Sequence, residues 1–309
     1  MHFLNLIRYK NLLMLAFMQL ILRYGFLKLQ KIDLALADWQ YGLLVLSTVL
    51  IAAAGYVIND IFDQVTDAIN KPSKVIVGKS ISEATAYNIY TLLNVSGVAI
   101  GFYLANVIMR PNFAGIFIFI AATLYIYSTS LKQMPAIGNV VVALLLSASV
   151  LIIGIFDIFP ATDIHNQKTM GGLFSILLDY AIFAFMINLL REIVKDLEDF
   201  EGDYKEGMKT LAVVLGKQKT TKLLFALSFA PILALLFYAN HYLVPNQLIV
   251  AEIYSLLFIL GPLIYFSIKI WNATSKEDFS ILSKVLKWIL FFGILSILII
   301  SLNIKYHAS

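Results

Sequence analysis

The sequence predicts an all-α polytopic membrane protein, with about nine transmembrane helices bundled as two four-helix pseudo-repeats around a central cavity. Three observations lead there. The 309 residues are 60% hydrophobic and only 14% charged, where soluble domains carry roughly a quarter charged residues, and the mean hydropathy is +0.84. A spanning helix needs roughly 20 mostly apolar residues, and that template can be laid down nine times. Two acidic trios of identical spacing, Asp60, Asp63, Asp67 and Asp196, Asp199, Asp203, close the second and sixth of those stretches. No charged or amphipathic region is long enough for a separate soluble domain, so residues 1–309 read as one integral-membrane domain.

Taken in order, the predicted spans are 11–27, 41–59, 84–108, 112–129, 136–158, 172–192, 221–239, 247–269 and 284–303. The fourth and fifth are close enough to form a hairpin. The first lacks a small-residue cleavage site behind it, so no removable signal peptide is expected. Nine spans place the termini on opposite sides. The N-terminal arm, the loops 60–83, 130–135, 193–220 and 270–283, and the basic residues at adjoining helix ends together hold 17 of the 23 basic residues. The remainder are Arg23, Lys28, Lys31, Arg110, Lys168 and Lys305. Lysine and arginine accumulate on the inner side of a membrane. The N-terminus and both trios are therefore expected at the cytoplasmic face of the cell membrane.

Within each trio the carboxylates step by three and then four residues, which on a helix sets them along one face. Carboxylates so crowded repel unless a cation joins them. Mg²⁺ takes oxygen ligands and bridges carboxylates to phosphate oxygens. One such trio reads equally well as a solvated helix end; two with the same spacing and setting point to facing half-sites. Helices two and six run in the same direction, which makes the repeat a parallel one. Lys71, Lys74 and Gly78 after the first trio are answered by Lys205, Lys209 and Gly216 after the second.

Metal that keeps positions open for ligand points to a diphosphate, a good leaving group once its charge is neutralised. Basic residues lie near at Lys71, Lys74, Lys79, Lys132, Arg191 and Lys195. Lys132, Arg191 and Lys195 stand out because they sit at helix ends close to carboxylates. Asn59 is placed to donate to a phosphate or to orient a carboxylate. A cavity polar at its mouth and apolar below suits a long isoprenoid, tail down, and Phe62, Tyr125 and Tyr127 offer ring faces to a carbocation. The absence of cysteine excludes disulfides, thiolate metal sites and a cysteine nucleophile. The four histidines are scattered, with no metal-ligand spacing. The expected partners are lipidic, with no nucleic acid among them.

These stretches resemble a known family. NDIFDQVTDAINKP (residues 59–72) is similar to the first signature of the UbiA-type intramembrane prenyltransferases, and REIVKDLEDFEGDYKEGMKTLAVVLG (191–216) to their second. YSTSLKQMPAIGN (127–139) resembles the segment that ends their fourth helix, and Arg8 and Asn11 match an Arg-x-x-Asn element. The resemblance spans the chain in the right order. It implies a nine-helix bundle with both acidic signatures at the cytoplasmic mouth. It also implies Mg²⁺-dependent loss of diphosphate from a prenyl diphosphate, and capture of the allylic cation by a lipophilic acceptor. Asn59, Asp60, Asp63 and Asp67 would bind metal and diphosphate from one half and Asp196, Asp199 and Asp203 from the other. Lys132 would contact the diphosphate with Tyr127 nearby.

One departure is Lys74-Val75 where many members have Arg-Pro; lysine keeps the charge but loses the bidentate fork. Within the family the second signature is most similar to the branch whose acceptor is a prenylglyceryl phosphate hydroxyl, which implies geranylgeranyl diphosphate as donor. Other branches prenylate aromatic acids for quinones. From another class, a cation-coupled transporter also uses parallel repeats and intramembrane carboxylates, but it needs them near the bilayer midplane.

Overall fold

A computed structural model describes residues 2–73 and 75–307. Among these residues nine helices are long and apolar enough to cross a membrane: α1 Tyr9–Gln30, α2 Asp38–Phe62, α3 Glu83–Val107, α4 Pro111–Thr129, α5 Ile137–Ala161, α6 Gln167–Glu198, α7 Lys217–Leu243, α8 Ile249–Asn272 and α9 Lys276–Tyr306. Every predicted span is present. Most run a turn or so further than hydropathy suggests, because the polar residues at their ends are good helix starters. Ser82 accepts from the Thr85 amide at 3.2 Å at the start of α3, satisfying one of the amides the first turn leaves open. Acidic residues (Asp38, Glu83) sit in the first turns of α2 and α3, where the helix dipole favours them. At 32 residues α6 is about 48 Å long, well beyond a hydrocarbon core of about 30 Å. Its last turns can therefore stand in the interface and carry charge there.

Packing divides the bundle in two. One apolar cluster joins α1–α5 to the first half of α6, with Leu22, Leu44, Phe117, Phe156 and Leu177 buried in it. A second joins the other half of α6 to α7–α9, around Leu190, Leu263, Phe266, Phe279 and Leu286. Helix α6 belongs to both, as does α9 through Ile297, and the site described below gathers along α6. Helix α3 is held hard against α2: the Ser47 hydroxyl donates to the Gly97 carbonyl at 2.7 Å. A Cβ on Gly97 would lie 2.7 Å from Ile51. Small residues let membrane helices approach in this way.

At the end of the bundle remote from the trios, charge is buried outright. Arg23 and Asp157 are 1% and 0% exposed and pair at 3.1 Å. Asp157 also accepts from the Leu36 amide at 2.9 Å, and the Arg23 guanidinium donates to the Leu36 carbonyl and lies 4.3 Å over the Tyr41 ring. A π-helical turn, Gly154–Ile158, carries Asp157. The extra residue in such a turn re-aims the side chains that follow. Together these contacts clamp the α1–α2 connection onto α5.

Each trio straddles a break in its helix. Asp60 lies in the last turn of α2, Asp63 is the single residue between α2 and a short helix Gln64–Asn70, and Asp67 lies in that short helix. Asp196 lies in the last turn of α6, Asp199 is the break, and Asp203 lies in a short helix Phe200–Lys205. The two breaks have nearly the same backbone, φ −93°, ψ 5° at Asp63 and φ −97°, ψ 5° at Asp199. The expectation that each trio follows one face of one continuous helix is corrected accordingly. The repeat expected from spacing alone has a structural counterpart in these matched breaks.

Candidate active site

The two short helices bring the trios together. Asn70, which ends the first, donates to the Asp199 carbonyl at 2.9 Å and accepts from the Gly202 amide at 2.9 Å. Lys276 at the start of α9 donates to the Asn70 carbonyl at 2.7 Å. Beneath this junction opens a cavity of about 410 Å³. Asp63, Asp67, Asp196, Asp199 and Asp203 line it, as do Asn59, Tyr127, Lys132, Arg191, Lys195, Arg8 and Asn11. Its deeper wall is apolar, with Met18, Leu22, Ile51, Phe117, Leu124, Val150 and Ile294.

Among the described residues, the first carboxylate of the first trio stands apart. Asp60 is not among the lining residues; it holds Arg8 at 2.7 Å, and Arg8 itself reaches the cavity with its guanidinium 4.9 Å over the Tyr56 ring. Lys74 lies outside the described residues. Of the aromatic candidates only Tyr127 faces the cavity. Phe62 and Tyr125 pack edge to face on each other, 6.3 Å apart, and are 41% and 43% exposed on the bundle surface. Their helices turn both rings away from the cavity. Tyr56, Phe117, Tyr180 and Phe183 are the other rings on the cavity wall.

Carboxylates and cations alternate around the mouth. Lys132, in the turn Leu131–Gln133 between α4 and α5, pairs with Asp63, and Asn59 donates to the other Asp63 oxygen at 2.6 Å. Lys71 pairs with Asp199 at 2.6 Å, so the cation that follows one trio serves the other. Asn139 donates to Asp196 at 2.9 Å. Lys195 holds both oxygens of the buried Glu192, at 2.8 and 3.0 Å. Burial, reinforced by the neighbouring Asp199, pushes the Asp203 carboxyl up to about 6. Burial likewise raises the Asp67 carboxyl above its ordinary range and lowers the Lys132 ammonium to about 8. These groups are charged at a cost, and each gains from opposite charge brought close.

The donor set suits a hard divalent cation. Every candidate ligand is a carboxylate oxygen, the chemistry Mg²⁺ prefers. Asp199 Oδ1 is buried with no hydrogen-bond partner, and Asp67 lines the cavity with no ion-pair partner among the described residues. No three carboxylates converge on a single point among the described residues. Protein ligands would thus be few per ion, as Mg²⁺ commonly has when phosphate and water complete its shell.

Several partnerships in this site carry no sequence signal. Asn70, Asn139 and Glu192 lie inside the quoted signatures and Lys287 near the start of the ninth predicted span, and only the packing shows which neighbour each meets. Lys71 was visible as a neighbour of the first trio, but its pairing with the second depends on the fold.

A nine-helix membrane bundle with two carboxylate-rich helix breaks over one apolar cavity is the architecture of an intramembrane enzyme acting on a charged head with a hydrocarbon tail. The model of the UbiA prenyltransferase family matches residues 25–298, and the chain belongs to that family. It is 32% identical to the digeranylgeranylglyceryl phosphate synthase of Methanobrevibacter smithii over 71% of this chain and 74% of that one. It is 29% identical to that of Methanococcoides burtonii over 96% and 98%. With the synthase of Thermococcus gammatolerans it shares 35% over 54% of each chain, so the match spans about half of that relative. A solved structure concerned with digeranylgeranylglyceryl phosphate synthase in membranes superimposes with a TM-score of 0.62 at 25% identity, over 97% of both chains. A UbiA homolog from Archaeoglobus fulgidus bound to GPP and Mg²⁺ shares the fold, with a TM-score of 0.60 at 17% identity over 96% of this chain and 99% of that one.

Proposed function

We propose that this protein is a Mg²⁺-dependent prenyltransferase. In this reading it moves a prenyl group, geranylgeranyl in the first instance, from its diphosphate to the hydroxyl of a prenylglyceryl phosphate. The observation that carries the reading is the meeting of both acidic trios over a single cavity that is polar at its mouth and apolar below. The relatives named digeranylgeranylglyceryl phosphate synthase support the choice of acceptor.

Asp63, Asp67, Asp196, Asp199 and Asp203 would hold the metal, with Asp60 acting through Arg8. Bound Mg²⁺ supplies charge neutralisation on the departing diphosphate. Lys132 and Lys71, each already facing a carboxylate across the mouth, donate to the phosphate oxygens, and Asn59 fixes the Asp63 carboxylate that Lys132 shares. The tail lies against Met18, Leu22 and Phe117, which keeps water from the reacting carbon. As the allylic C–O bond breaks, the electron pair leaves with diphosphate, and Tyr127 presents its ring to the carbon that becomes positive. The acceptor oxygen then forms the new C–O bond, and its proton passes to the departed diphosphate. The chain works as one domain in the cell membrane, with its N-terminus and the mouth on the cytoplasmic side where most lysines and arginines lie.

The test is transfer by purified protein from labelled geranylgeranyl diphosphate to a panel of geranylgeranylglyceryl phosphate, 4-hydroxybenzoate and dihydroxynaphthoate, with and without Mg²⁺. Mg²⁺-dependent transfer to the first acceptor supports the reading. Transfer to an aromatic acid moves the protein to the quinone-pathway branches. Neither transfer nor diphosphate release, across several donor lengths, would overturn it in favour of a cation-coupled transporter.

A further inference from the structure

The cations of the cavity fall into two groups. Around the mouth, each has a carboxylate of its own: Arg8 with Asp60, Lys71 with Asp199, Lys132 with Asp63. Deeper along α6 and α9 the balance changes. Lys195, Arg191 and Lys287 all line the cavity, and one glutamate serves them. Glu192 gives both oxygens to Lys195 and only a long 3.5 Å contact to Arg191. The Arg191 Nε is buried with no hydrogen-bond partner. Lys287 donates to the neutral Asn11 amide oxygen at 2.8 Å, and no carboxylate pairs with it among the described residues.

Packing sets Arg191 and Lys287 at one level. Helices α6 and α9 run antiparallel, with the Tyr180 and Ser296 hydroxyls bonded at 2.7 Å and Phe183 facing Gly293. Continuing that register brings Lys287 level with Leu189, about half a turn from Arg191. The same level lies about 10 Å along α6 from Asp196, towards the membrane interior. Two cations in an apolar wall, one glutamate already engaged by a third, make a place where an anion is more stable than water.

We infer that Lys287 and Arg191, with Asn11 orienting Lys287, form a second anion subsite that binds the phosphate monoester of the acceptor, separate from the carboxylate-rich site of the diphosphate. This rests on the proposed transfer to a prenylglyceryl phosphate and names the groups that tell that acceptor from an uncharged one. A glycerol phosphate held here would have its hydroxyl between its own phosphate and the donor carbon below the trios. Arg191 can present a planar fork to phosphate, and Lys287 a point charge.

Equilibrium binding to the full-length protein in detergent tests this, using three probes: geranylgeranylglyceryl phosphate, the same lipid without its phosphate, and geranylgeranyl diphosphate with Mg²⁺. The expected result is that Lys287→Gln raises Kd for the phosphorylated acceptor at least tenfold and leaves Kd for the dephosphorylated lipid and for the diphosphate within twofold. Lys287→Arg keeps the cation and should restore most of the loss, which separates a lost charge from a misfolded helix. Unchanged binding of the phosphorylated acceptor by Lys287→Gln would overturn the inference, as would an equal loss of diphosphate affinity, which would place Lys287 in the donor site. If the unaltered protein binds the diphosphate but neither acceptor lipid, the failure lies instead with the proposed acceptor.

Discussion

Individual carboxylates in this site differ in what surrounds them, and that decides what their loss should do. Asp63 shares Lys132 and Asn59, and Asp199 shares Lys71 while keeping one oxygen without a partner. Asp63→Asn or Asp199→Asn removes a charge without removing volume. Either should lower kcat by about a hundredfold to a thousandfold, the usual size for one electrostatic contributor. Purified variants should keep the elution volume and helical circular dichroism of the parent, and near-normal turnover in both would contradict the metal and diphosphate roles. These residues were legible in the sequence because a repeated spacing is hard to obtain by chance. The partners of Glu192, Asn139 and Lys287 were not, since a signature or a lone polar residue in a hydrophobic run gives no hint of which neighbour a side chain meets. Phe62 and Tyr125 show the opposite failure: their ring faces suggested a role toward a carbocation, and the helix faces carry both rings outward.

Helices bring these residues into place through irregularities that hydropathy does not register. The breaks at Asp63 and Asp199 swing each short helix over the cavity, and the π-helical turn at Gly154–Ile158 turns Asp157 onto Arg23. A sliding average over α5 sees an unbroken apolar run with one aspartate near its end. The buried pair makes a prediction at this scale. Removing one partner of a buried ion pair strands the other charge, which costs about 3–5 kcal/mol. Asp157→Asn should therefore lower the thermal unfolding temperature in detergent markedly. Asp38→Asn, which alters an exposed carboxylate 3.6 Å from the same arginine, should change it little.

Viewed whole, the bundle was readable from composition and period: nine apolar runs gave nine helices among the described residues, and the two trios marked the two helix breaks that meet over the cavity. The order of helices around the cavity was not, because lipid-facing and core-facing apolar residues look alike in a chain that is 60% hydrophobic. Sidedness rests on lysine and arginine placement and has a direct check. The chain has no cysteine, so Ser275→Cys and His165→Cys each introduce a unique label site at opposite ends of the bundle. In intact cells an impermeant maleimide should label His165→Cys and leave Ser275→Cys untouched until the membrane is opened; the reverse pattern would invert the orientation.

The junction between the two short helices has a consequence for how such a chain can change over time. A Cβ on Gly202 would collide with the Asn70 side chain, yet that same side chain bonds the Gly202 amide and the Asp199 carbonyl. Neither position is free to drift alone, although 132 residues separate them. Gly202→Ala should lower both melting temperature and turnover, and adding Asn70→Ser should return part of each, a non-additive pair in a double-mutant cycle. Additive effects would show that the two positions do not constrain each other. The two halves are thereby tied to each other, since a mutation accepted on one side sets which mutations the other can accept.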